Sequence, residues 1–266
     1  MSTDPRGGRD RAAQASPWVR LLANLSLVAR LGWFELGAFV VVIWLLCAWV
    51  AWLVGGVRVH SYSDRQLAMH FVALVFAVYW PVAVWRDEAP AQRGYFYSLP
   101  SGRIAAVLLR VLAGLVSLIA TLLVAHLGGF AIGAGIGRAD ELTAVSPLAW
   151  LASILGVTIV YLIASAIAVV SDVPGRWLLA FGGLVYAPPL MLPLPQLLQF
   201  AFRPGPQWFY HGPIGFDRAT SAAITAAQLD NRLIEFTPSQ WLPATTFWLL
   251  LSALCLWLAA RRRIDL

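Results

Sequence analysis

The sequence predicts an all-α fold: a polytopic membrane protein with six transmembrane helices, an N-terminal interfacial helix and a short outer helix before the last span. Cutting the chain at its charged residues leaves six long uncharged windows, 36–57, 66–85, 111–137, 142–171, 177–202 and 236–260. Roughly 20 apolar residues in a helix cross a hydrocarbon core of about 30 Å, so each window is long enough to span. Charged residues are only 12% of the chain and Trp occurs 13 times, the composition of a chain whose solvent is mostly lipid. Residues 1–15 are polar and rich in Gly, Arg and Asp, and read as a disordered tail. Residues 16–266 read as a single transmembrane domain.

The interfacial helix opens the domain. Ser16 and Pro17 suit an N-cap and a first helical residue. Trp18, Leu21, Leu22, Leu25 and Val28 then share a face while Arg20 and Asn24 lie on another. Gly32 is expected to separate this helix from the first span; the alternative is a plain extension of that span. The third span ends in a ladder of small residues, Gly129, Gly133 and Gly137, which lets helices approach closely within the subunit or across a dimer contact. In the fifth window Pro188 and Pro189, followed by Pro193 and Pro195, predict a kink or early end beside a polar path, since non-helical backbone at membrane depth needs protein or water around it. In the long outer segment, 199–243, Ala222, Ala226, Leu229, Leu233 and Phe236 share one face of the expected outer helix, which Pro238 stops.

Orientation follows the arginines. With both termini on one side, that side carries the N-terminal arginines, Arg86, Arg93, Arg103, Arg110, Arg176 and the run Arg261, Arg262, Arg263. The other side carries fewer, half of them in the one long loop. Both termini are therefore expected to be cytoplasmic. Arg110, two turns inside the third span, is expected to snorkel to the cytoplasmic interface or to pair with Glu35.

Several chemistries are excluded or lack a pattern. All 19 basic residues are arginine, so there is no lysine for a P-loop or for a Schiff base. Neither a GxSxG elbow nor an HExxH zinc helix occurs, so no enzymatic activity is expected of this chain. Cys47 and Cys255 lie in apolar windows, where packed thiols are the ordinary reading. His60, His70, His126 and His211 all fall on the outer side. His70 and His126 stand near the outer ends of adjacent spans and offer one alternative, a haem or metal site, but without ligand spacing or a clear supporting carboxylate. No cofactor, metal or nucleic acid is expected.

The connection between the second and third windows concentrates charge, aromatics and a helix-breaking proline. It reads as a short interfacial helix or as a surface loop. Glu88 after the second span, Gly94, the pair Leu99 and Pro100, and Arg103 opening the third span resemble the signature of ABC-2 type transporter permeases. Tyr95 and Phe96 stand where that family commonly has small or polar residues, and Ser101 and Gly102 also depart from its usual pattern. The interfacial helix, six spans and outer helix resemble the family's layout. The resemblance implies a permease subunit of an ATP-driven exporter in a bacterial inner membrane, surrounded by lipid and working as a homodimer or with a paired permease. It implies that ATP and Mg²⁺ are bound by a separate ATPase, and that 85–103 is the coupling helix; read as an interfacial helix, the segment has Tyr95, Phe96, Tyr97 and Leu99 available for contact. A non-transporting assembly component is a further alternative, and the substrate is not legible.

Overall fold

The computed structural model describes residues 17–54, 62–85, 103–135, 147–171, 174–190 and 238–262. These form six helices with no strand among the described residues: α1 (Pro17–Val54), α2 (Tyr62–Val84), α3 (Arg103–Gly135), α4 (Pro147–Val170), α5 (Pro174–Leu190) and α6 (Pro238–Arg262). Four of them open on proline, whose fixed φ suits the first helical position and whose missing N–H would have no partner there. Two are long and apolar enough to cross a membrane, through Trp18–Leu45 in α1 and Ile104–Ile132 in α3. Shorter apolar stretches, Val72–Val84 and Ile154–Val170, lie in α2 and α4.

The N-terminal segment differs from the sequence expectation. There is no separate interfacial helix before the first span, because α1 runs unbroken for 38 residues. The reason is visible on its inner face, where Leu21, Leu25, Val28, Leu36, Phe39 and Ile43 form one stripe packed into the core on both sides of Gly32. Packing of that continuous stripe outweighs the roughly 1 kcal/mol that glycine costs a helix interior. Gly32 serves a different purpose. A β-carbon there would run into the Trp80 ring of α2, so glycine is what lets Trp80 lie against the α1 backbone.

α3 is the helix to which α1, α2 and α4 are tied. α1 packs along it more extensively than any other pair of helices. Near one end Trp44 donates from Nε1 to the Ala125 carbonyl at 3.2 Å, with its ring lying over Gly128. Earlier on α1 the Trp80 ring lies over Gly32 while its Nε1 donates to the Gly114 carbonyl at 2.9 Å. Later residues of α1 thus meet later residues of α3, and the two helices run parallel. α2 runs the other way: Trp80 meets Gly114, and one turn further along α2 Val84 meets Arg110, one turn earlier on α3.

α4 packs chiefly on α6 and α2, and also on α5 and α3. Its Val157, Ile159, Val160, Tyr161, Ala164 and Ser165 are all buried, the pattern of a helix that is apolar around most of its circumference and surrounded by others. Stacked aromatics fill the space between α1 and α2, with Phe39 and Phe76 centroids 4.2 Å apart and Phe76 and Trp80 5.5 Å apart. Large apolar side chains also cover the outside of the bundle, including Trp33, Val41 and Leu45 of α1, Leu123 and Leu127 of α3, and Leu250 and Leu254 of α6. So much exposed apolar surface marks an interaction with lipid or another apolar surface.

Candidate functional site

Where α2 ends, three helices converge on a small group of polar and aromatic atoms. Helices leave their last carbonyls without intrahelical donors. The final turn of α2 supplies one bond of its own, from the Trp85 N–H to the Pro81 carbonyl at 3.0 Å. The Val84 carbonyl is met by Arg110 of α3, which donates from Nε at 3.0 Å and from Nη2 at 2.7 Å. The guanidinium carbon also stands 5.0 Å from the centroid of the Trp85 ring, within cation–π range. Arg110 is only 6% exposed, so its charge depends on protein partners. The negative end of the α2 dipole and the face of an indole are both partners of the right sign.

Arg110 is thus a buried side chain with a backbone acceptor. Its side chain leans toward the start of α3, as long side chains in helices do, but it ends on the terminal carbonyl of a neighbouring helix. The sequence pointed to the residue and missed its acceptor, because a backbone carbonyl leaves no mark in the sequence. One signal was available: a second span that ends beside an arginine-bearing third span offers a helix C-terminus at that depth.

Directly behind this group α4 presses in. The Tyr161 hydroxyl donates to the Val111 carbonyl at 3.0 Å. A β-carbon on Gly114 would collide with that hydroxyl and would stand 3.0 Å from Val84 Cγ2. Gly114 is therefore the point where α2, α3 and α4 approach together. Val111 and Gly114, whose carbonyls accept these bonds, lie within a continuous helix. Each bond adds a buried side-chain donor to a helix carbonyl and so ties one helix to a particular level of another.

The residues expected to couple to a partner lie mostly elsewhere. Glu88, Gly94, Tyr95, Phe96, Leu99 and Pro100 are outside the described residues. Arg103 is the first residue of α3, so the connection ends where the signature residue opens the helix. Gly129 and Gly133 lie in the last part of α3 and Gly137 is outside the described residues. The close approach that the structure does show in that region is at Gly128, under Trp44. Pro188 and Pro189 lie in the last turn of the described part of α5, which runs to Leu190. His126 contacts its own helix through Nδ1, 2.7 Å from the Leu122 carbonyl. His70 lies in α2, while His60 and His211 fall outside the described residues. Among the described residues no group of His, Cys, Asp and Glu is arranged to hold a metal. The chain matches no protein-family profile and no curated protein.

Proposed function

We propose that the chain is the membrane-spanning subunit of an ATP-driven exporter in a bacterial inner membrane, with all six helices spanning and both termini cytoplasmic. It pairs with a second permease copy and with a separately encoded ATPase, which binds the ATP and Mg²⁺. The observation that carries this reading is the junction at the end of α2. The connection that resembles an ABC-2 coupling helix starts from a helix end held by Arg110 and finishes at the start of α3, the helix to which α1, α2 and α4 are tied. A segment pushed from outside would therefore move a braced group of helices rather than a slack loop. The apolar exterior supports a lipid setting for that movement.

The decisive experiment is co-purification with the ATPase encoded beside the permease gene. A docking helix relies on a few large side chains, and truncating one costs about 1–2 kcal/mol or more of association. Tyr95→Ala and Phe96→Ala should lose the ATPase or uncouple transport while membrane expression is kept, and Arg58→Ala should change neither. Full retention and full turnover in both aromatic variants would overturn the reading. Cysteine labelling tests the topology: positions near Asp140 and Asp217 should be accessible from outside, and Ser2 and Leu266 from inside. Labelling of 140 and 266 from the same side rejects six spans.

A further inference from the structure

We infer that the outward side of α6 seats an anionic phospholipid, with Arg261 taking the headgroup phosphate and the apolar residues before it lining an acyl chain. The inference rests on the reading that α6 spans the membrane, and not on the ATPase. Leu250, Leu254, Trp257, Leu258 and Arg261 follow the three- and four-residue spacing of one helix face, and all five are exposed. Ser252, Leu256, Ala259 and Ala260, on the other side of the same helix, are buried, and α6 packs chiefly on α4. Packing within the bundle therefore uses one side of α6 and leaves the stripe facing outward.

Height and charge choose the occupant. From Leu250 to Arg261 the helix rises about 16.5 Å at 1.5 Å per residue, close to half of a hydrocarbon core of about 30 Å. The stripe is thus one leaflet tall, with apolar side chains at acyl-chain depth and a cation at headgroup depth. The Arg261 guanidinium carbon lies over the Trp257 ring, 5.3 Å from its centroid, within cation–π range. The indole takes a face of the guanidinium and leaves its N–H edges for a phosphate, which arginine binds through two parallel bonds. Arg110 makes the same pairing with Trp85 in opposite surroundings: it is buried, and it donates to the Val84 carbonyl. Arg261 is exposed. In the sequence Arg262 and Arg263 follow it, and residues 261–266 hold a single acidic side chain, Asp265, so this end of the stripe is net positive. A zwitterionic headgroup brings a cation of its own to that end, and an anionic one does not.

Native mass spectrometry of the full chain released from detergent micelles tests this by titration with two probes of identical acyl chains, phosphatidylglycerol and phosphatidylcholine. The wild type should bind phosphatidylglycerol more tightly. Arg261→Gln should weaken that binding about tenfold, the scale of losing one charge-assisted pair. Arg262→Gln removes the same charge one residue away, off the stripe, and should weaken it by less than about fivefold, the scale of an arginine near an anionic surface. Trp257→Leu keeps the apolar wall and removes the ring; it should weaken phosphatidylglycerol binding by less than Arg261→Gln does. Leu254→Ser thins the wall for the acyl chain and should weaken both lipids by the same factor. If Arg261→Gln gives no monodisperse protein, Arg261→Lys replaces it, since it keeps the charge and loses the fork. Equal losses at Arg261 and Arg262 would mean a diffuse charge effect, and equal binding of the two lipids by the wild type would mean no headgroup site; either overturns the proposal. A wild-type dimer that separates in Leu254→Ser with lipid binding unchanged assigns the face to a second copy and also overturns it. If the lipid results are as expected but no ATPase co-purifies, the exporter reading falls and the seat stands. If the ATPase co-purifies and Arg261→Gln leaves phosphatidylglycerol binding unchanged, the seat falls alone.

Discussion

The bundle is joined in two different ways. Around α3, side chains from other helices reach across to backbone carbonyls: Trp44 to Ala125, Trp80 to Gly114 and Tyr161 to Val111, with Arg110 reaching out to Val84 in return. On α4 and α6 the hydroxyls of three described residues behave differently. Ser252 donates to Leu249 of its own helix, Thr158 to Ile154 of its own helix, and buried Thr245 Oγ1 has no hydrogen-bond partner. A cross-helix bond to one carbonyl fixes register, because sliding by a turn loses it. A seam of small and apolar side chains is tolerant of sliding, because one set of contacts can exchange for another. The first region holds its register through directional bonds, whereas these three hydroxyls give the second none.

Substitutions that break this contrast should differ in size and finally in sign. Trp80→Ala is expected to be the most damaging. It removes the stack on Phe76, the bond to Gly114 and the filling over Gly32, at a cost of about 3–5 kcal/mol. Thermal and denaturant unfolding in detergent micelles, read by loss of monodisperse protein, measures it. Gly114→Val should follow at about 1–3 kcal/mol, since its β-carbon meets Tyr161 and Val84 and neither can retreat; a stability equal to wild type would mean that the three helices are not in contact there. Tyr161→Phe keeps the ring and loses the hydroxyl with its bond to Val111 and its contact with Ser165, so the same assay should show about 0.6 kcal/mol or somewhat more, near the typical value for such a bond between membrane helices. At Thr245→Val the sign should change: replacing a partnerless hydroxyl by a methyl of similar shape is expected to be neutral or slightly stabilising. A loss at Thr245 as large as at Tyr161 would erase the distinction between the two regions.

The positions of the helices were largely legible in the sequence, and their extents were not. Every uncharged window contains at least half of a described helix, but α1 and α3 begin well before theirs, running through Arg20, Arg30 and Glu35 in one case and Arg103 and Arg110 in the other. A charged residue marks where a chain resists lipid, and a helix does not have to stop there. Gly32 was read locally as an interruption, whereas its role depends on Trp80, a residue on another helix. The same holds for Gly114 and Tyr161. Their pairing is set by tertiary packing between segments far apart in sequence, which local periodicity does not record. The coupling residues Glu88, Gly94, Tyr95, Phe96, Leu99 and Pro100 were legible only as a motif; of that signature, Arg103 has a described place, at the head of α3.

The parallel alignment of α1 and α3 carries a consequence for the bilayer itself. Their candidate spans, 28 and 29 residues long, measure about 42 and 44 Å at 1.5 Å per residue, longer than a hydrocarbon thickness of roughly 30 Å, with Arg20, Arg30 and Glu35 inside one and Arg110 inside the other. A single helix with that mismatch can lean on its own, but these two are pinned to each other by Trp44 at one level and, through Trp80, by Gly32 and Gly114 at another. In a bilayer they would tilt, or thicken the surrounding lipid, as one body. Lengthening the acyl chains of the host membrane should therefore stand the pair more upright together, and the thickness of the membrane becomes a setting of the bundle's angle.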